Sequence, residues 1–358
     1  MIILDMLFWI FVFIILMSLF IYPIIIDLLT KNRKNKQIKQ TPPVTIIIPT
    51  LNEEKNIEKK IKNLLKQGYP KNKIIIFVVD NGSADNTVKI AKKFPVSILY
   101  SERGKLNAIN KGLKYAKTDI VVVTDADVEI SANAIKSLVS YLHNGIGAVS
   151  GFTLLKGNKK QFYMKGKLDY HKNDWNLRHK ESLLDSACSL DGKLMAFRKS
   201  IISQLPKGLV CDDYLLTLLI RKKGYRCVIS KEALIYENAP PALDRELKQI
   251  RRRGAIGGIY LSLKFSDFLF NRKYSYFGAL TFPFRRFFVF LFPIFIVYIL
   301  AYLIALSVKL TLVLAILAIL YIIAFRKYYM LLQLYGLFLA WCDFLTGKAN
   351  SNKIWVKT

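Results

Sequence analysis

The chain has 358 residues, with 54 Lys and Arg against 25 Asp and Glu, for a net charge of +29. That is room for one large domain or two modest ones, and the charge calls for an anionic partner. Yet 53% of the residues are apolar, and the lysines are spread along the chain rather than interleaved with aromatics in one motif, so a nucleic-acid partner is excluded.

The apolar residues are not evenly spread. Residues 1–29 are almost entirely apolar, broken only by Asp5 and Asp27. A membrane-spanning helix needs about 20 such residues. The stretch has no basic leader and no small-residue cleavage site, so it reads as a retained transmembrane anchor. A basic linker, 30–43, follows with Lys31, Arg33, Lys34, Lys36 and Lys39. The positive-inside rule then places the next domain, 44–245, in the cytoplasm. Cys188, Cys211, Cys227 and Cys342 form no C-x-x-C pair and are not spaced with the three histidines as zinc ligands. They read as reduced, structural thiols.

Within 44–245 the apolar pattern alternates between strand and helix. Strands are expected at 44–48, 74–79, 96–99 and 120–123. Helices are expected at 54–66, 84–93, 106–116 and 135–142, the first carrying Ile57, Ile61, Leu64 and Leu65 on one face. Repeated β-α units imply an α/β fold with a doubly wound, mostly parallel, Rossmann-like sheet. Ligands of such sheets bind beyond the carboxyl ends of the strands.

Polar residues converge there: PTLNEE after the first strand, DNGSADNT after the second, TDADV after the fourth, and RGKLNAIN opening a helix. Asn52 and Ser83 are also plausible helix caps, and Asp85 a first-turn acid. Asp125 and Asp127 are harder to account for structurally. Two carboxylates at a strand end repel unless a cation sits by them. Hard oxygen ligands with few other donors suit Mg²⁺ or Mn²⁺, whose shells are completed by water and phosphate. Lys105 adds positive charge for a diphosphate.

IIIPTLNEEKNI, IIIFVVDNGSADNT, RGKLNAINKGLKYAKTDIVVVTDADV and DGKLMAFRKS, in that order over residues 44–235, resemble the successive blocks of the family-2 inverting glycosyltransferases. The resemblance implies a GT-A fold and a nucleotide-sugar donor, UDP-linked by default. It implies that Glu53 and Asp80 surround the nucleobase and ribose, that Lys105 lies near the base or diphosphate, that Asp125 contacts the nucleotide, and that Asp127 holds the metal. The family's base block reads Glu-Asp followed by a helix and a Gly. Here Asp212 replaces the Glu, Asp213 takes the position of the general base, and Gly224 matches the Gly. For Asp212 and Asp213 the bland alternative is an N-cap on an apolar helix.

Polymerising members carry a Gln-x-x-Arg-Trp box. Gln249 and Arg252 match it and are expected at the donor, but Arg253 stands where the Trp would be. An Arg lacks the apolar face on which a sugar stacks, so single transfer is expected over polymerisation. Downstream lie an amphipathic interface segment, 246–286, and a transmembrane hairpin, 287–327, whose spans are 287–306 and 310–325. The apolar segment within 328–358 is expected to lie at the interface rather than span. The chain thus reads as a multi-pass cell-membrane protein. Its partners are a nucleotide-sugar donor, a lipid-linked or glycan acceptor, and membrane lipids. The rivals are a processive polysaccharide synthase and a catalytically degenerate membrane scaffold.

Overall fold

Val44–Thr50 (β1) buries every side chain, as a Val/Ile-rich strand covered on both faces must. It belongs to an eight-stranded sheet in a computed structural model that describes residues 2–143, 145–157, 164–206, 212–239, 243–308, 311–314, 316 and 328–348. The chain divides into two compact units. One comprises Asn32–Lys156 and Arg178–Ala239, the other Met1–Lys31, Gly157–Leu177 and Pro240–Ala349.

The first unit holds the sheet. β2 (Ile74–Asp80), β3 (Ser97–Tyr100), β4 (Ile120–Thr124), β5 (Glu129–Ile130), β6 (Ile146–Lys156), β7 (Leu194–Arg198) and β8 (Arg226–Asn238) join β1 in the order β3-β2-β1-β4-β7-β6-β8-β5. Its helices include α1 (Ile57–Leu65), α2 (Thr87–Ala91), α3 (Lys105–Tyr115), α4 (Ala134–Tyr141) and α5 (Asp212–Lys222). Ile57, Ile61 and Leu64 of α1 join one apolar cluster with Val44, Ile46, Ile48 and Val122. Burying each such side chain contributes roughly 1.5–3 kcal/mol.

β3, β2, β1 and β4 are mutually parallel. Beyond β4 the sheet becomes mixed, although β6 and β8 keep the direction of β1–β4 and only β7 and β5 oppose it. β7 runs antiparallel to both β4 and β6, β5 runs antiparallel to β8, and only β6 and β8 are parallel. β6 still follows α4 in the direction of β4, so the mixing enters with β7. The chain then passes through the long Met164–Leu184 helix before β7 enters from the other end, and an apolar run carries no sign of its direction.

Register levels the strand ends. Thr50 pairs with Asp80, Asp80 with Tyr100, and Thr124 with Leu194. The loops after β1, β2 and β4, and the turn before β7, therefore meet along one edge.

In the second unit, Ile2–Thr30 and Phe277–Leu306 are each long and apolar enough to cross a membrane. Phe11 stacks on Phe295 at 4.4 Å and Phe8 on Tyr302 at 4.7 Å. Tyr298 donates to the Leu4 carbonyl at 2.9 Å, and Tyr302 donates to Asp5. The expected 310–325 span lies outside the described residues except for 311–314 and 316. The Tyr328–Leu345 helix is tied to the Leu243–Arg252 helix by polar contacts: Asp343 pairs with Arg251, and Tyr329 donates to Glu246 at 2.6 Å. Lys167 also pairs with Glu246.

Candidate active site

The turn after β4 carries Asp125 and Asp127. It is pinned to the turn before β7, because the Asp125 N–H and the Thr124 hydroxyl both donate to the Lys193 carbonyl, at 3.1 and 2.8 Å. Asp127 is exposed. Desolvation by the surrounding chain, reinforced by the charges of Asp125, Glu53 and Glu237, holds its carboxyl above the ordinary value. Desolvation and like charge both favour the neutral acid here, and a bound cation would oppose both.

Lys105 opens α3 after Gly104, whose φ of 125° is a conformation that side chains rarely adopt. The Lys105 ammonium lies 2.7 Å from Asp125 Oδ1, 3.1 Å from Asp212 Oδ2 and 3.0 Å from the Gly192 carbonyl. An ammonium has three hydrogens, and here three protein oxygens surround it. Burial opposes the charge, but Asp125 and Asp212 outweigh it and raise the pKa above the usual lysine value. The ammonium expected near the base or diphosphate also bridges the two acidic elements.

Asp212 begins α5, and its carboxyl is pushed up to about 6, first by burial and then by Asp213 and Asp125, against the pull of Lys105. The Gly192 backbone approaches closely: a Cβ there would stand 3.1 Å from Asp212 Oδ2. Asp213 Oδ1 accepts from the Tyr214 N–H at 2.8 Å, a local contact of the capping kind. The sequence-predicted pair thus divides. Asp212 joins Lys105 and Asp125, while Asp213 stands beside it at the start of the helix.

The Asp80 carboxylate is buried and fully engaged. Oδ2 accepts from the Gly82 and Ser83 N–H groups at 3.0 and 3.1 Å, and Oδ1 from the Ser83 hydroxyl at 2.5 Å. It shapes the loop after β2. That loop is stitched to the one after β1: Asn52 donates to Ser83 at 2.9 Å, Glu53 to Thr87 at 2.7 Å, and Glu54 to Asp85 at 3.1 Å, all from backbone N–H groups. Asp85 also accepts from the Thr87 N–H at 3.0 Å, at the start of α2. The Glu53 side chain accepts from Asn56 at 2.8 Å. Gln249 and Arg252 lie in the Leu243–Arg252 helix of the other unit.

Two buried groups escaped the sequence reading. Asp191 accepts from the Thr153 hydroxyl and, at 3.0 Å, from the Lys193 N–H. Burial opposes its charge, but Lys193 and these hydrogen bonds hold its pKa below the usual range, so it fixes the turn that faces Lys105. Lys60, on the buried face of α1, reaches under the Asp125–Asp127 turn and donates to Thr124 Oγ1 at 2.7 Å and the Val128 carbonyl at 3.1 Å. Burial pulls its pKa down to about 7, against the attraction of Asp125, Asp127 and Glu129. A Lys at a helix position otherwise filled by apolar residues reads as solvated, and only its offset from Ile57 and Ile61 signalled otherwise.

Among the described residues, no group of three or more His, Cys, Asp and Glu side chains is arranged as a metal site. The Asp125–Asp127 pair nonetheless fits a hard divalent ion that draws few ligands from protein, since a cation there would offset the desolvation and the neighbouring carboxylate charges that together raise Asp127.

Residues 45–205 match the family described as Glycosyl transferase family 2. The chain is 27% identical over 241 residues to the poly-β-1,6-N-acetyl-D-glucosamine synthase of Staphylococcus aureus (strain COL), covering 64% of this chain and 57% of that one. It thus spans under three fifths of that relative's length. Its fold resembles that of the mannosyltransferase PcManGT from Pyrobaculum calidifontis, a structure in complex with GDP-Man and Mn²⁺, with a TM-score of 0.73 at 22% identity, over 96% of this chain and 99% of that one. The motifs along the sheet edge lie within residues 45–205, the stretch that is similar to glycosyltransferase family 2, and the sheet has a GT-A-like fold.

Proposed function

We propose that the protein transfers one sugar, with inversion, from a nucleotide-sugar donor to a hydroxyl of a membrane-associated, lipid-linked acceptor. The observation that carries this reading is the clamp of Lys105 on Asp125 and Asp212, which sets a donor-side acid and a base-side acid around one ammonium.

Asp127 would hold Mg²⁺ or Mn²⁺ beside Asp125, and the ion when bound acts as a Lewis acid on the leaving diphosphate. Glu53, Asp80, Lys105, Asp125, Gln249 and Arg252 are assigned to the donor, Asp80 through the loop it shapes. Asp213 takes the acceptor hydroxyl's proton. The new bond forms from that oxygen to the anomeric carbon, while the bond to the diphosphate oxygen breaks and its electron pair leaves with the nucleoside diphosphate. A phosphate acceptor is already ionised and has no need of a base, so Asp213 favours a hydroxyl. The two long apolar helices and the basic linker favour a membrane-embedded acceptor, with the sheet unit in the cytoplasm. A donor with a metal is also what PcManGT holds.

The processive reading has one observation in its favour, the likeness to a polysaccharide synthase. Arg253 in place of an aromatic residue weighs against it. The test is the purified full chain with Mn²⁺, a panel of nucleotide sugars and a lipid-linked acceptor. One added sugar is expected. A ladder of long products restores the synthase. Asp127→Asn should remain folded and membrane-bound but inactive, and wild-type turnover in that variant contradicts the metal assignment.

A further inference from the structure

Lys60 is only 2% exposed. It shares the face of α1 with Ile57, Ile61 and Leu64, all packed in the apolar core. Its ammonium is nonetheless held by two neutral oxygens, Thr124 Oγ1 at 2.7 Å and Val128 O at 3.1 Å. Those two residues bracket the turn: Thr124 precedes Asp125, and Val128 follows Asp127. Thr124 passes the connection on, donating to the same Lys193 carbonyl that takes the Asp125 N–H.

A buried ammonium without an adjacent carboxylate is unfavourable. A Met of similar length would fill the same volume with no charge to desolvate. The downward shift of Lys60 to about 7 records that penalty. A group that weakens the core while gripping both ends of an acidic turn is better explained by what it does to the turn than by what it does for the fold.

We propose that Lys60 is a positioning residue for the Asp125–Asp127 turn, closing it from below so that its carboxylates are preset for a divalent cation. The inference rests on the metal-dependent reading given above. Groups behind the ligands of a metal site commonly change affinity by about 10- to 100-fold when removed.

The test uses the detergent-solubilised full chain and Mn²⁺ alone, with free Mn²⁺ read by electron paramagnetic resonance and thermal unfolding followed in EDTA. Lys60→Met is expected to keep or raise Tm while weakening Mn²⁺ binding at least about tenfold. Unchanged or tighter binding overturns the proposal, because the Lys60 charge would then only oppose the cation. A parallel fall in Tm and affinity also overturns it, making Lys60 a staple of the fold. Thr124→Val removes one acceptor without altering charge and should weaken Mn²⁺ several-fold. If Lys60→Met does not fold, that variant decides, and wild-type affinity in it rejects the proposal. Absence of Mn²⁺ binding in the wild type has a different meaning: it rejects the metal reading itself, and this inference with it.

Discussion

Lys105 Nζ lies 3.1 Å from Asp212 Oδ2 while staying 2.7 Å from Asp125 Oδ1. One ammonium therefore links the turn after β4 to the first residue of α5. The link is mostly shielded, with 18% of the Lys105 side chain and 14% of Asp212 exposed, so salt screens it little. Lys105→Met leaves two facing acids without a counter-charge. Hydrogen bonds to charged groups contribute about 1.5–3 kcal/mol, so donor affinity and transfer rate should both fall, each by about 10- to 100-fold. Donor binding measured by calorimetry alongside initial rates checks this. An effect on rate alone would separate the clamp from the donor site.

Asp213→Asn should behave differently. A placed general base contributes about 10²–10⁴-fold, and transfer should fall by that order with donor affinity nearly unchanged. Asp212→Asn should disturb both, through Lys105. If Asp212→Asn alone lost transfer while binding donor normally, and Asp213→Asn were active, the base would be Asp212 and Asp213 merely a cap.

The pH dependence of stability follows from Asp212. Its folded pKa, about 6, is above the ordinary 3.8. The folded state therefore holds the proton more tightly than the unfolded one between those values. Stability from this group is complete below about pH 4 and is lost as pH rises through 6. The change is on the order of 3 kcal/mol. In metal-free protein, Asp212→Asn should match the wild type near pH 4 and exceed it near pH 7 in denaturant unfolding. Equal pH profiles for the two proteins would show that Asp212 is not buried as described.

Topology is testable by labelling. Cys342 is exposed, Cys188 and Cys227 are buried, and Cys211 lies outside the described residues, so the background needs Cys342→Ser and Cys211→Ser. One exposed cysteine introduced at Lys34, an exposed linker position, should resist an impermeant maleimide applied to intact cells, and so should one at Asn350. Reaction at Lys34 would reverse the orientation drawn from the basic linker. Reaction at Asn350 alone would mean that the Tyr328–Leu345 helix spans. The Arg251–Asp343 pair argues for the interface, since the helix that supplies Arg251 is rich in charge.

The sequence by itself determined β1 to β4 and the helices α1 to α4, though not the two-residue β5, together with the edge on which polar residues gather and the closeness of Asp125 to Asp127. These are local properties: strand and helix periods differ, and residues just past a strand must lie at its end. It also singled out Lys105 and the Asp212–Asp213 pair, though not what they touch. Only the tertiary structure decided that β7 runs against β4, because direction depends on the path taken by distant chain. Only it turned Lys105 toward Asp212, more than a hundred residues away, and used the Asp80 carboxylate to shape a loop. Lys60 was the least legible. A charged residue on an apolar helix face is ordinarily drawn out to water, and here neutral oxygens of another element held it in the core.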